Sequence, residues 1–161
     1  GSFIYFKGDL THTHDLPRGF QVLTKIQGQL SNHPLINNEQ ISAGGQSSVR
    51  GYLESAVIGD NGIIGTLELR SPSFIGKADP DTKEWKNEWR VYAFVEGGHL
   101  TLHDPRPEQK DQFDVASYGI GTRIKLWEHF NGSLDASLPL TTQGTTQADD
   151  LFLSFRLWAD F

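Results

Sequence analysis

From Ile4 through Phe6, Gly8 and Leu10 the even positions are apolar or small, while Tyr5, Lys7, Asp9, Thr11 and Thr13 between them are mostly polar. A period of two predicts a strand with two different faces. A turn is expected over residues 15–19, Asp-Leu-Pro-Arg-Gly. The second strand keeps Phe20, Val22, Ile26 and Leu30 on one side and Gln21, Lys25, Gln27 and Gln29 on the other, with Leu23 as its exception. A third alternates Ile63, Gly65, Leu67 and Leu69 with Ile64, Thr66, Glu68 and Arg70. A fourth sets Trp89, Val91, Ala93 and Val95 against Arg90, Tyr92, Phe94 and Glu96. The fifth opposes Tyr118, Ile120, Thr122, Ile124 and Leu126 to Ser117, Gly119, Gly121, Arg123 and Lys125. The sixth opposes Leu134, Ala136, Leu138 and Leu140 to Ser133, Asp135, Ser137 and Pro139. The seventh is the most regular: Leu151, Leu153, Phe155, Leu157, Ala159 and Phe161 against Phe152, Ser154, Arg156, Trp158 and Asp160.

Seven two-faced strands of about ten residues fit the pattern of a transmembrane β-barrel. A soluble β-sandwich binding module would show the same alternation, but its strands run to about five or six residues. The connections also discriminate. Residues 31–62, 99–112 and 141–150 form long connections that fall on alternate connections and so on one side, and residues 15–19 and 128–132 form short ones on the other. The connection 71–88 is a long one on the short side. The expected fold is therefore all-β, an antiparallel transmembrane β-barrel. Seven strands do not close an even-numbered barrel, and an open edge is unstable in lipid, so further strands are expected from upstream sequence or another chain. Gly1 and Ser2 read as a cloning remnant and Phe3 as entering in mid-strand.

Composition narrows the function classes. The net charge of -6 arises from 14 basic and 20 acidic residues in mixed order, which leaves no basic stripe for nucleic acid. With no cysteine and no methionine, disulfides, thiolate metal sites and thiol nucleophiles are excluded. No apolar run reaches the eighteen residues of a membrane helix. Gly 17 and aromatic 11% suit turns and strands.

One stretch invites chemistry. GGQSSVRGY, from Gly44 to Tyr52, places Arg50 among glycines and serines in the longest connection. A guanidinium confined inside a barrel needs acceptors, and a carboxylate matches its fork. The polar side of the fourth strand, with Arg90, Tyr92, Phe94 and Glu96, offers one.

The run from Gly28 to Pro72 resembles the C-terminal barrel of the outer-membrane transporters of two-partner secretion, the haemolysin and adhesin secretion/activation proteins. Their superfamily includes the BamA-type barrel-assembly proteins. The resemblance implies that Val49-Arg50-Gly51-Tyr52, preceded by Gly44 and Gly45, is the motif of an extracellular loop folded back into the lumen, spanning about 31–62. It further implies that Phe94, Glu96 and Gly98 stand for the family's Phe-x-Asp-x-Gly motif, with Glu in place of Asp. Arg50 is then expected to pair with Glu96, and Tyr52 and Phe94 to pack beside the pair. Phe155, Leu157 and Phe161 resemble the terminal signal read by the barrel-assembly machinery. The whole chain, 1–161, corresponds to roughly the last seven strands of a sixteen-stranded barrel, without its POTRA domains, plug helix and first nine strands.

The function implied is a protein-translocation pore of the Gram-negative outer membrane. It would export a secreted exoprotein partner, sit in outer-membrane lipid and use no cofactor, metal or bond-making chemistry. A BamA-like insertase is the alternative within the superfamily, to be separated by the number of upstream POTRA domains.

Other constellations carry less. His12, His14 and Asp15 could suggest a metal site but read as polar residues near a turn. Asp79, Asp81, Asp149 and Asp150 read as solvated loop carboxylates. Ser47 and Ser48 lack a triad context. Gly59-Asp60-Asn61-Gly62 reads as a turn. Trp85, Trp89, Trp127 and Trp158 suggest an interfacial girdle, with Trp158 facing inward by parity.

Overall fold

The structure is a computed structural model that describes residues 4–143 and 146–161; the expectation for Phe3 lies outside them. A single antiparallel sheet holds seven strands in the order β1-β2-β5-β6-β7-β8-β9. The strands are β1 (Tyr5–Asp15), β2 (Gln21–Ser31), β5 (Asn61–Arg70), β6 (Glu88–Thr101), β7 (Gln112–Leu126), β8 (Phe130–Pro139) and β9 (Phe152–Ala159). Each pairs with its neighbour in the chain, apart from the long loop between β2 and β5. That loop carries its own two-stranded ribbon, β3 (Ile41–Ala43) with β4 (Val57–Gly59). The ribbon was not predicted, because three-residue strands are too short to display a period.

All seven expected strands form, and the register holds the predicted alternation across the sheet. One turn moves. The connection expected at 128–132 lies upstream, because Trp127 and Glu128 adopt left-handed backbone (φ 52° and 65°) and β8 already begins at Phe130. Gly132 then sits inside the strand, where an added Cβ would lie 3.2 Å from Leu157 Cδ2. The strands also reach further into the connection 99–112 than expected, with β6 running to Thr101 and β7 starting at Gln112. At 15–19, Pro17–Gly19 forms a single 3-10 turn.

The two faces are inverted relative to a soluble sandwich. Phe6, Leu10, Ile26, Leu30, Ile63, Leu67, Val95, Ile120, Leu134, Leu153, Phe155 and Leu157 all stand exposed on one face. A sandwich would bury such a row against a second sheet. On the other face Glu68, Arg90, Glu96, Ser117, Ser133, Asp135 and Ser137 are buried. An apolar exterior around a polar interior is what a lipid-facing barrel wall requires. The exposed aromatics Phe20, Phe74, Trp89, Trp127, Phe130 and Phe161 gather at the short-turn end, where a girdle belongs. Trp158 faces inward as parity predicted, and Trp85 leaves the girdle to lie 5.2 Å from the Arg90 guanidinium.

The apolar core is small and sits inside the sheet, towards the long-loop end. Ile41, Ala43, Val49, Tyr52 and Val57 from the loop pack on Ile64, Leu100 and Val115 of β5, β6 and β7. The loop is therefore fastened to the inner wall by burial as well as by charge.

Candidate functional site

Two glycines shape the loop. Gly44 (φ 117°) has no room for a side chain, since a Cβ there would lie 2.9 Å from the Ala56 backbone nitrogen. Gly51 (φ 96°) brings the backbone down on the wall, where a Cβ would stand 3.3 Å from Ser137 Cβ and 3.5 Å from Ser117 Cβ. The loop neck closes through the Gly45 N–H donating to Tyr52 O at 3.2 Å and the Ser55 N–H donating to Gly44 O at 3.3 Å. Positive φ at these positions is inexpensive only for glycine.

Between the glycines, Arg50 is turned into the sheet interior and is 8% exposed. Its Nε donates to Glu96 Oε1, and its Nη1 lies 3.0 Å from Glu68 Oε1 and 3.5 Å from Asp135 Oδ1. The Phe94 ring lies beneath, with its centroid 3.5 Å from Arg50 Cζ, a cation–π contact in a desolvated setting. The expected pairing with Glu96 is present, but its form differs. The fork is not matched bidentately to one carboxylate. It is spread over three carboxylates on β5, β6 and β8, because the other Glu96 oxygen accepts the Thr66 hydroxyl at 3.1 Å.

Each carboxylate is held by a further group. Arg70 Nε donates to Glu68 Oε2 at 2.7 Å. The Tyr92 hydroxyl donates to Asp135 Oδ1 at 2.5 Å, and Gln46 Nε2 donates to Asp135 Oδ2 at 3.3 Å and to Ser133 Oγ at 3.2 Å. Buried charges need such company, since desolvation alone opposes them. Glu68 and Asp135 were placed on the polar sides of their strands by sequence but not assigned to Arg50. Strand parity could have nominated them; the cross-strand register that brings them to Arg50 could not be read.

Tyr52 departs from expectation. It does not pack beside the ion pair but joins the apolar cluster with Val49 and Val57. Its hydroxyl reaches Ala116 O at 3.0 Å and Thr141 O at 2.8 Å, and accepts the Thr141 N–H at 3.1 Å. Tyr52 thus ties the loop to β7 and to the segment after β8. Gly98 faces inward, where a Cβ would lie 3.2 Å from Ile64 Cγ1. Phe155 and Leu157 point outward from β9, and Phe161 stacks on His129 with ring centroids 5.2 Å apart.

A second polar hub lies at the long-loop end. Asp60, read from sequence as turn chemistry, is 1% exposed. Burial pushes its carboxyl up, but the His103 N–H at 2.8 Å, Gln40 Nε2 at 3.0 Å and the Leu35 N–H at 2.8 Å outweigh it and hold the group below the ordinary carboxylate range. It joins the start of the long loop to the connection after β6. Asp79 is a turn residue, its Oδ1 accepting the N–H groups of Asp81 and Thr82 at 2.8 and 3.0 Å.

Comparison with known proteins places this arrangement. The chain is 30% identical over 139 residues to the outer membrane transporter CdiB of Escherichia coli, covering 86% of this chain and 22% of that protein. It is 22% identical over 165 residues to the outer membrane transporter CdiB of Dickeya dadantii (strain 3937), covering 94% of this chain and 25% of that one. Among solved structures, CdiB from Escherichia coli superposes with a TM-score of 0.70 at 26% identity, over 98% of this chain and 27% of the other. The chain thus spans about a quarter of the length of the relatives it matches. The model of the haemolysin secretion/activation protein ShlB/FhaC/HecB matches residues 2–124, a stretch that contains the loop, Glu68 and Glu96. The chain belongs to that family, the outer-membrane transporters of two-partner secretion.

Proposed function

We propose that this segment forms part of the wall of a pore that passes a secreted partner protein across the outer membrane, and that the loop carrying Arg50 is a clamp inside the lumen. The observation that carries the reading is the guanidinium shared by Glu68, Glu96 and Asp135, which ties one loop to three strands at once. An inward loop occupies space that a polypeptide in transit would need. The clamp must therefore hold the wall in a working shape or move aside during passage, and ion pairs can be exchanged without breaking covalent bonds.

No step of this task is bond-making. In this reading the chain's groups orient a loop, line a channel and face lipid, which is the work of a conduit. In this reading Phe155, Leu157 and Phe161 belong to the outward apolar row presented to the assembly machinery and then to lipid.

The test uses the full-length transporter. Arg50→Ala leaves three carboxylates without their shared cation, a loss on the order of 3–5 kcal/mol for a buried pair. Secretion of the partner should fall well below the wild-type level while the barrel is still inserted, as read by surface labelling and folded-band migration. Normal secretion by an inserted Arg50→Ala variant would overturn the clamp.

A further inference from the structure

Below the clamp, towards the short-turn end, one row of inward positions runs across four strands: Arg90, Arg123, Ser133 and Arg156. Arg90 is fully engaged. Its Nε donates to Glu88, and its Nη1 donates to Gly19 O at 2.9 Å and Ser71 O at 2.8 Å. Arg123 and Arg156 are different. Among the described residues neither makes an ion pair or hydrogen bond; Arg156 only lies over the Trp158 ring, 4.7 Å from its centroid. Both line a cavity of about 420 Å³ under the loop tip, together with Trp158. Arg123 also lines the adjoining cavity of about 320 Å³ with Lys125, where the carboxylates of Glu88 and Asp160 accept from Arg90 and from Asn131.

The carboxylates Glu68, Glu96 and Asp135 that border the same space are already held by Arg50, Arg70 and Tyr92. Glu54 stands exposed on the loop above without an ion pair among the described residues. Two guanidiniums therefore face the channel with no ion-pair partner among the described residues, on strands two spacings and so about 10 Å apart at the backbone. An aromatic ring lies beside them. Guanidiniums match carboxylates bidentately, and both they and an indole accept an extended peptide without demanding a particular sequence.

We propose that Arg123 and Arg156, with Trp158, form a luminal rest for acidic stretches of the partner polypeptide in transit. The inference rests on the transport reading above and names the chemistry of what passes. The rest lies immediately beneath the clamp, so a carboxylate drawn to it approaches the side of the site where Asp135 meets Arg50. Attraction of modest strength suits a path that must release its cargo, and partly solvated pairs supply that.

The experiment uses the full-length transporter and two forms of its partner that differ in one segment, acidic in one and with Asp and Glu replaced by Asn and Gln in the other. Arg123→Gln/Arg156→Gln should lower the ratio of acidic to neutral partner secreted by about fivefold, the size that two partly screened ion pairs give. Arg123→Lys/Arg156→Lys keeps the charge and should keep most of the ratio, which separates recognition from damage to the wall. An unchanged ratio in the Gln variant, with both partners secreted, overturns the inference and leaves the transport reading standing. A raised resting conductance with an unchanged ratio also overturns it, because the row is then covered by an acidic part of the transporter itself. If the wild type secretes neither partner, the transport reading fails and the inference falls with it.

Discussion

Tyr52 and Arg50 are two residues apart and do different work. Arg50 is held by charge, Tyr52 by a hydroxyl that meets the backbone of Ala116 and Thr141 inside an apolar cluster. Tyr52→Phe keeps the ring and its packing but leaves those carbonyl and N–H groups without their partner, a cost of about 1–3 kcal/mol. The expected result is a loop cut faster by added protease at unchanged barrel insertion; equal cleavage rates would show that packing alone holds it. Arg50→Lys should not restore the clamp. An ammonium reaches as a point charge and cannot span Glu96 on one side and Glu68 with Asp135 on the other. The Arg50–Glu96 pair was legible because the motif and strand parity pointed at each other. The hydroxyl's partners were not, since backbone carbonyls leave no mark in a sequence.

At the scale of the strand, the alternation placed every long element but said nothing of what the inward glycines were for. Gly119 and Gly121 of β7 face Phe94 and Tyr92 across the register, and the two rings, with the Ala136 carbonyl and the Asp135 carboxylate of β8, occupy the space that side chains would take. A Cβ on Gly119 would lie 2.8 Å from Phe94 Cζ, and one on Gly121 would lie 2.5 Å from Tyr92 Cε2. These glycines let the aromatic floor of the Arg50 site lie flat on the wall. Gly119→Ala should force the β8 backbone at Ala136 away, since its carbonyl oxygen would lie 2.2 Å from the added Cβ, and push Phe94 from under the guanidinium, at a cost of about 3 kcal/mol or more. The measurement is the temperature at which the folded band is lost in detergent, together with loop cleavage. A Gly8→Ala control, where nothing lies within 4 Å of an added Cβ, should leave both unchanged. The short ribbon of β3 and β4 escaped prediction for the opposite reason: it is specified by contact with Ile64 and Leu100, not by its own period.

At the scale of the whole molecule, the outward face meets lipid and the long-loop end meets water, and each carries its own expectation. Leu67, in the middle of β5 and half exposed, should tolerate other apolar residues, whereas Leu67→Arg should cost about 2–4 kcal/mol at the bilayer midplane. Refolding into vesicles of defined thickness would measure it. At the long-loop end, Asp60 has its folded-state value depressed, so its contribution is present above the ordinary carboxylate range and is lost as pH falls through the lowered value. Protease cleavage within residues 31–40 should therefore rise on acidification below about pH 4, and Asp60→Asn should show the rise already at neutral pH. A pH-independent cleavage rate in the wild type would show that Asp60 does not fasten the start of the loop. The sequence by itself determined the strands and their two faces, because alternation is a local property of the chain, while the inward loop and its arginine were implied by the resemblance of Val49-Arg50-Gly51-Tyr52 to the family motif. Only the tertiary structure decided that three carboxylates share that arginine, that Tyr52 turns away from it, and that Arg123 and Arg156 beneath it have no ion pair among the described residues. Those facts depend on cross-strand register, which arises when hydrogen-bonded neighbours slide to a common level, and no single strand encodes the level of the next.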